Sequence, residues 1–250
     1  MLEVKSLSKN FGGVKAVWKL DLAVNAGDIF GVIGPNGSGK STLVNLISGV
    51  FPATAGEIHF QGHSLSNLSP HARVKAGVAR TFQNIRLFPG LTVWQNLWVA
   101  RNSTEDTRAE GISSRWFRKS GPVKNEIDAM LEFSGLADKG DELASNLAFG
   151  EQRRLELARA AATKPRLLLL DEPAAGMNQE EVRDLDRRIR ELRQQGMTII
   201  LIEHVMELVM GITDRIVVLN FGSKIAEGKP AAIRENKSVQ EAYLGQSEGS

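Results

Sequence analysis

The chain contains no cysteine, which removes disulfides, thiolate catalysis and cysteine-based zinc sites and suits a reducing compartment such as the cytoplasm. It also has little net charge. Its 31 lysines and arginines against 29 aspartates and glutamates leave a formal +2, so no global field draws it to an anionic membrane, and no nucleic-acid partner is expected. Long apolar runs are missing as well: the longest, at 167–170 and 198–202, are strand length, short of the roughly 18 residues that a membrane span requires. The opening MLEVKSLSKNF has no basic segment followed by an apolar stretch, so no secretory leader is expected. What is there is 250 residues with 42% hydrophobic content, enough to bury a core in one large domain or two small ones.

Two kinds of apolar pattern divide the chain. Trp18, Leu20, Leu22 and Val24 alternate with polar or small neighbours, the period-2 mark of a half-buried strand, and Leu2, Val4 and Glu57–Phe60 offer similar pieces, so the N-terminal part should contain antiparallel sheet. Residues 29–33, 167–171, 198–202 and 215–219 are instead continuous apolar runs, as strands covered on both faces require. After Asn178, the spacing of Val182, Leu185, Ile189 and Leu192 predicts a helix that stops before Gly196, giving a strand-helix-strand unit from Leu167 to Ile202. From about 84 to 149 the strand runs vanish, and helix-like stretches at 93–100 and 126–133 predict a helical insert with a polar excursion over 102–122. The expected class is therefore α/β, with a first core part (1–83), the helical insert (84–149), a second core part (150–235) and a C-terminal tail (236–250) that frays from Gln246.

The strongest chemical signal is Gly34-Pro35-Asn36-Gly37-Ser38-Gly39-Lys40-Ser41, a Walker A pattern between a buried strand and an apolar helical run. Its glycines let backbone N–H groups converge on phosphate oxygens, and the helix start adds partial positive charge. Lys40 would then meet the terminal phosphates of ATP, the Ser41 hydroxyl would ligate Mg2+, and Thr42 would contact the phosphate nearest the sugar. A second signal is the strand 167–170, which delivers Asp171 and Glu172 at its C-terminal end, where open parallel sheets bind ligands. Strand-end acids also cap helices, but beside Walker A the pair reads as a magnesium carboxylate, Asp171, and a general base, Glu172. His204 follows the strand 198–202; alone it would be a structural histidine, and in this sheet it can reach a terminal phosphate.

With these motifs in place, residues 1 to about 230 resemble the nucleotide-binding subunits of ABC transporters, whose fold is a P-loop ATPase core with an antiparallel β part and an inserted α-helical subdomain. Gln83 in VARTFQ falls at the family's Q-loop, which assigns it a place beside magnesium and the catalytic water. Leu147-Ala148-Phe149-Gly150-Glu151-Gln152 falls at the signature motif, Gly176-Met177-Asn178 at the D-loop, and His204 at the switch histidine. Phe11 matches the aromatic on which the family stacks adenine. The resemblance implies a head-to-tail dimer with a second ATP-binding subunit, identical or related, in which ATP lies between Walker A of one chain and residues 148–151 of the other. Closer likeness rests on GVARTFQNIRLF, LAFGEQRRLELARA, DEPAAGMN and the ending AAIRENKSVQEAYLG, which are similar to the LivG-like subunits of branched-chain amino acid importers. It implies permease subunits in the bacterial inner membrane, with the chain peripheral on their cytoplasmic face, and indirectly a periplasmic substrate-binding protein. A lipopolysaccharide-type exporter ATPase shares an AYLG-like ending, and a soluble non-transport ABC ATPase is the reading from a different class.

The chain departs from the common LSGGQ signature at Ala148, Phe149 and Glu151. Ala148 lacks a hydroxyl that could bond phosphate, a loss of about 1 kcal/mol per site. Asn178 stands where aspartate is usual, and with Glu181 three residues on it reads equally as a helix cap or as a group acting across a dimer. Val205 also replaces an aspartate. Arg86, Leu87 and Phe88 are candidates to receive a helix of the membrane subunit, or simply to pack the insert.

Overall fold

The computed structural model describes residues 1–102 and 122–244. The excursion expected over 102–122 lies outside the described residues except for its two ends, and 246–250 lies wholly outside. Strands β1 (Leu2–Phe11), β2 (Val14–Val24), β4 (Ala55–Phe60) and β5 (His63–Ser64) form an antiparallel sheet in the order β2-β1-β4-β5. A second sheet runs β10-β9-β3-β8-β7-β6, built from β3 (Ile29–Ile33), β6 (Val78–Arg80), β7 (Leu167–Asp171), β8 (Thr198–Ile202), β9 (Arg215–Asn220) and β10 (Ser223–Gly228). Its pairs are parallel apart from the β9–β10 hairpin.

The continuous apolar strands are the ones buried on both sides. Successive side chains point to opposite faces, so Leu168, Leu170, Ile199 and Leu201 enter one core cluster while Leu167, Leu169, Ile200 and Ile202 enter another. The second cluster joins the antiparallel sheet and helix α1 (Lys40–Ile47) through Leu20, Leu22, Leu43 and Ile47. The first takes in α3 (Val93–Asn102), α4 (Pro122–Ser134) and α5 (Phe149–Ala162), with Trp94, Leu97, Ile127, Leu131 and Leu155 at its centre. A short helix α2 (Pro70–Lys75), capped by Ser69, precedes β6.

Helix α6 (Gln179–Gln194) buries Leu185, Ile189 and Leu192 and stops before Gly196, whose φ of 91° suits glycine. Helices α7 (Met206–Ile212), α8 (Pro230–Arg234) and α9 (Lys237–Leu244) complete the chain. The last corrects the expectation of a tail from 236. Val239 is buried with Ile33 and Ile233, and the Tyr243 hydroxyl, its pKa pushed up by burial, takes a backbone hydrogen bond from Gly34. Val239 is the apolar anchor that holds this helix against Ile33 and Ile233, while Tyr243 stays 37% exposed, and the sequence reading overlooked that anchor. Among the described residues no helix is long and apolar enough to cross a membrane.

Candidate nucleotide site

The β3–α1 turn carries the Walker A residues. Gly34 has φ 153°, and a Cβ there would sit 2.1 Å from the Leu219 carbonyl of β9, so only glycine fits. Gly39, at φ 103°, starts α1 with no side-chain cap. Lys40 folds into the turn, where its Nζ donates to the Gly34 and Pro35 carbonyls at 2.7 and 2.9 Å. Burial pushes its pKa down, opposed by the nearby Glu172 and Asp171. Asn36 and Gly37 are exposed at the crest of the turn, and Ser38 Oγ is buried without a partner. Residues Gly37 to Thr42 line a cavity of about 270 Å³ with Val14, Lys15, Ala16 and Phe221. Phe11 lies half-exposed on β1 with its ring edge-on to Phe51, centroids 5.3 Å apart. It is therefore not a core residue.

Parallel pairing of β6, β7 and β8 brings three further motifs to the same sheet edge. Asp171 ends β7, buried, with Oδ2 held by Arg80 Nη2 at 3.1 Å and Oδ1 without a partner. Burial raises its pKa, against the pull of Arg80. Glu172 follows at φ 49°, a strained value for a side-chain-bearing residue, of the kind that collects at functional turns. Its Oε2 accepts from Gln83 Nε2 at 2.8 Å. His204 is exposed, and no hydrogen bond joins it to Glu172 among the described residues; its backbone N–H is bound by Glu203 instead.

The signature residues 148–151 begin α5 and do not line the Walker A cavity of their own chain. Alanine supplies no side-chain acceptor, so half a capping box forms: Ala148 N–H donates to Glu151 Oε2 at 3.0 Å, while Glu151 Oε1 pairs with Lys139 at 2.8 Å. Phe149 is exposed and lies against Gly176 of the D-loop. A Cβ on Gly150 would meet Glu181 Oε1 at 2.3 Å. Asn178 is the N-cap of α6: its Oδ1 accepts from Glu180 and Glu181 N–H at 2.9 and 3.0 Å, and Glu181 Oε2 accepts from Asn178 N–H at 2.9 Å.

Two residues that the sequence reading missed hold these parts together. Arg80 bonds Asp171, the Asn45 side chain at 2.7 Å and Ser48 Oγ at 3.0 Å, tying β7 to α1, and stacks on Phe82. Its place three residues before Gln83 was the available signal. Glu203, 1% exposed, accepts from Ala174 N–H at 2.6 Å and from His204 and Val205 N–H at 2.9 and 3.2 Å. A glutamate closing an apolar strand run was its signal. Helix α5 grips the Gln83 loop in turn, Arg153 Nη2 donating to the Gln83 carbonyl at 2.8 Å and Glu156 accepting from Phe82 and Arg86.

A phosphate-binding turn beside an acidic strand end and an exposed histidine, on a parallel sheet flanked by an antiparallel one, defines a P-loop ATPase cassette. The family model described as ABC transporter matches residues 17–175, and one described as branched-chain amino acid ATP-binding cassette transporter matches 223–249. The chain belongs to the ABC transporter family and is the ATP-binding, ATP-hydrolysing kind of subunit. It is 43% identical over 250 residues to the high-affinity branched-chain amino acid transport ATP-binding protein BraF of Pseudomonas aeruginosa, with 98% of each chain covered. It is likewise 43% identical over 253 residues to LivG of Escherichia coli K12, again covering 98% of each. Among solved structures, the ADP conformation of an ATP-binding cassette of an ABC transporter superposes with a TM-score of 0.86 at 31% identity, covering 98% of both chains. A nucleotide-free cassette superposes at 0.85.

Proposed function

We propose that the chain powers import of branched-chain amino acids through membrane permease subunits, by ATP-driven closure of a dimer of ATP-binding subunits on the cytoplasmic face of the inner membrane. The observation that carries the chemistry is the contact of Gln83 Nε2 with Glu172 Oε2 at 2.8 Å, beside the unpartnered buried Oδ1 of Asp171. A buried carboxylate oxygen without a donor is poised for a cation, so Asp171 fits Mg2+, with Ser41 and Gln83 completing the protein's share. Among the described residues no cluster of three or more His, Cys, Asp or Glu encloses a metal; phosphate and water would supply the remaining ligands. The ion would neutralise phosphate charge as the γ-phosphoryl group is transferred.

The protein's own groups do the rest. N–H groups of Gly37 to Thr42 and the Lys40 ammonium bind the phosphates, and Phe11 takes the adenine face. Glu172 accepts a proton from the attacking water, Gln83 orients that water, and His204 turns toward the γ-phosphate. Residues 148–151 of a second subunit close over the same phosphate. A groove of about 800 Å³, lined by Arg86, Leu87, Phe88, Val99 and Arg159, is the seat for a permease helix, with Phe88 exposed at its edge. A periplasmic binding protein delivers the substrate to the permease. The substrate class rests on the branched-chain relatives and on the match at 223–249.

The test is reconstitution with the permease and binding protein in liposomes. ATP-dependent uptake of leucine, isoleucine and valine is expected, and Glu172→Gln should abolish uptake and slow turnover by about 10²- to 10⁴-fold while trapping an ATP-bound dimer. Undiminished turnover in that variant removes Glu172 from its role; turnover without uptake of these amino acids removes the substrate assignment.

A further inference from the structure

The ends of β7 and β8 lie side by side, with Asp171 paired to Ile202 in register and Glu172 N–H bonded to the Ile202 carbonyl at 2.9 Å. One residue beyond this pair, Glu203 reaches back across the gap. Its Oε1 takes the Ala174 N–H of the turn that follows Glu172, and its Oε2 takes the His204 and Val205 N–H groups of the next loop. A buried carboxylate is tolerated only where its oxygens are hydrogen-bonded. Here the donors are backbone groups of two different loops, and among the described residues the one basic side chain within 4 Å is the imidazole of His204, with Nδ1 at 3.9 Å.

We propose that Glu203 is a positioning residue that latches the Glu172–Asn178 turn to the His204 loop, so that the general base and the histidine move as one body. Charge-assisted bonds to backbone N–H groups are shorter and roughly twice as strong as neutral ones, and three of them on a single side chain make the two loops mechanically continuous. The D-loop at Gly176 to Asn178 belongs to the same turn, so its displacement is carried to His204 through this carboxylate. The inference rests on the reading of Glu172 and His204 as catalytic groups, which Glu172→Gln and His204→Ala test separately.

Glu203→Gln preserves volume but offers one acceptor oxygen and one amide donor, so it can satisfy one loop and must face the N–H groups of the other with its own NH2. The experiment measures kcat, binding of a fluorescent ATP analogue, and deuterium exchange at Ala174, His204 and Val205 in the purified protein, for Glu203→Gln, His204→Ala and the double variant. The expected result is a fall in kcat of about 10²-fold, the size of effect a misplacement near 1 Å produces, with analogue affinity held within about twofold and faster exchange at one of the two loops. Where exchange quickens at His204 and Val205, the double variant should be scarcely slower than His204→Ala alone, because a histidine already removed cannot be misplaced again; where it quickens at Ala174, Glu172 is the displaced group and the losses should multiply. Unchanged kcat and exchange in Glu203→Gln overturn the latch, as do losses that multiply while exchange quickens only at His204 and Val205, which mark a structural anchor. If His204→Ala and Glu172→Gln themselves retain full turnover, the underlying site reading fails instead.

Discussion

Helices α5 and α6 adjoin at their first turns, where a Cβ on Gly150 would meet Glu181 Oε1 at 2.3 Å, and those turns end in opposite conditions. Asn178 and Glu181 close the start of α6 with three side-chain bonds to backbone N–H groups. Ala148 offers α5 no side-chain acceptor, and Glu151 satisfies only the Ala148 N–H. Helix α1 behaves like α5, since Gly39 caps it with nothing. Unpaired N–H groups at a helix start attract anions; of these three starts the two without a side-chain cap are the ones proposed to face phosphate, although α7 and α8 also start without one, so the missing cap permits that role without assigning it. Around Walker A the same economy of internal partners leaves Ser38 Oγ and Asp171 Oδ1 buried and unbonded, groups that a ligand can complete.

The largest effect expected from breaking this contrast is at the open end of α1. Lys40→Ala should weaken ATP binding by about 10- to 100-fold, the loss of bonds to a charged group, with little change in melting temperature; calorimetric titration and a thermal melt separate the two. At the closed end the pattern inverts. Asn178→Ala should destabilise the protein by about 1–2 kcal/mol while ATP affinity stays put, measured by denaturant unfolding beside the same titration. A drop in ATP-driven dimerisation without that destabilisation would instead assign Asn178 to the dimer interface.

A smaller effect follows from the buried acid. Asp171 has its pKa raised by burial, and a group whose folded pKa lies above its unfolded value contributes stability that is complete below the unfolded pKa and lost as pH rises through the folded one. At neutral pH the ionised carboxylate therefore works against the fold. Asp171→Asn should raise the melting temperature of the nucleotide-free protein near pH 7, an advantage that shrinks as pH falls toward 4, while magnesium-dependent turnover is lost. The smallest effect is at Ala148. Serine there would cap α5 at the N-cap backbone geometry already present, φ −61° and ψ 157°, and should add about 0.5–1 kcal/mol, read from the denaturant midpoint.

Legibility from sequence followed the range of the interactions. Walker A, the acids ending β7 and the period of α6 were legible because each is a local pattern tied to one backbone geometry: Gly34 to Ser41 in one turn, Asp171 and Glu172 in two consecutive residues. The capping role of Asn178 was visible as one of two readings, and its bonds to Glu180 and Glu181 show the cap within the chain. Arg80 and Glu203 were missed because their partners lie far along the chain. Arg80 reaches Asp171 across 91 positions, and Glu203 reaches Ala174 across 29. No local period announces such contacts.

The sequence by itself determined that the protein carries an ATP-binding turn and, further along, a carboxylate pair closing an apolar strand, because a phosphate-cradling turn needs glycines, a lysine and a hydroxyl within eight consecutive residues. Only the tertiary structure decided how the parts are joined: Gln83 against Glu172, Arg80 across to α1, Glu203 between two loops, and the start of α5 turned away from its own Walker A cavity. The physical reason is that these joints are hydrogen bonds between strand ends, and parallel pairing of β6, β7 and β8 makes neighbours of residues that the chain keeps far apart.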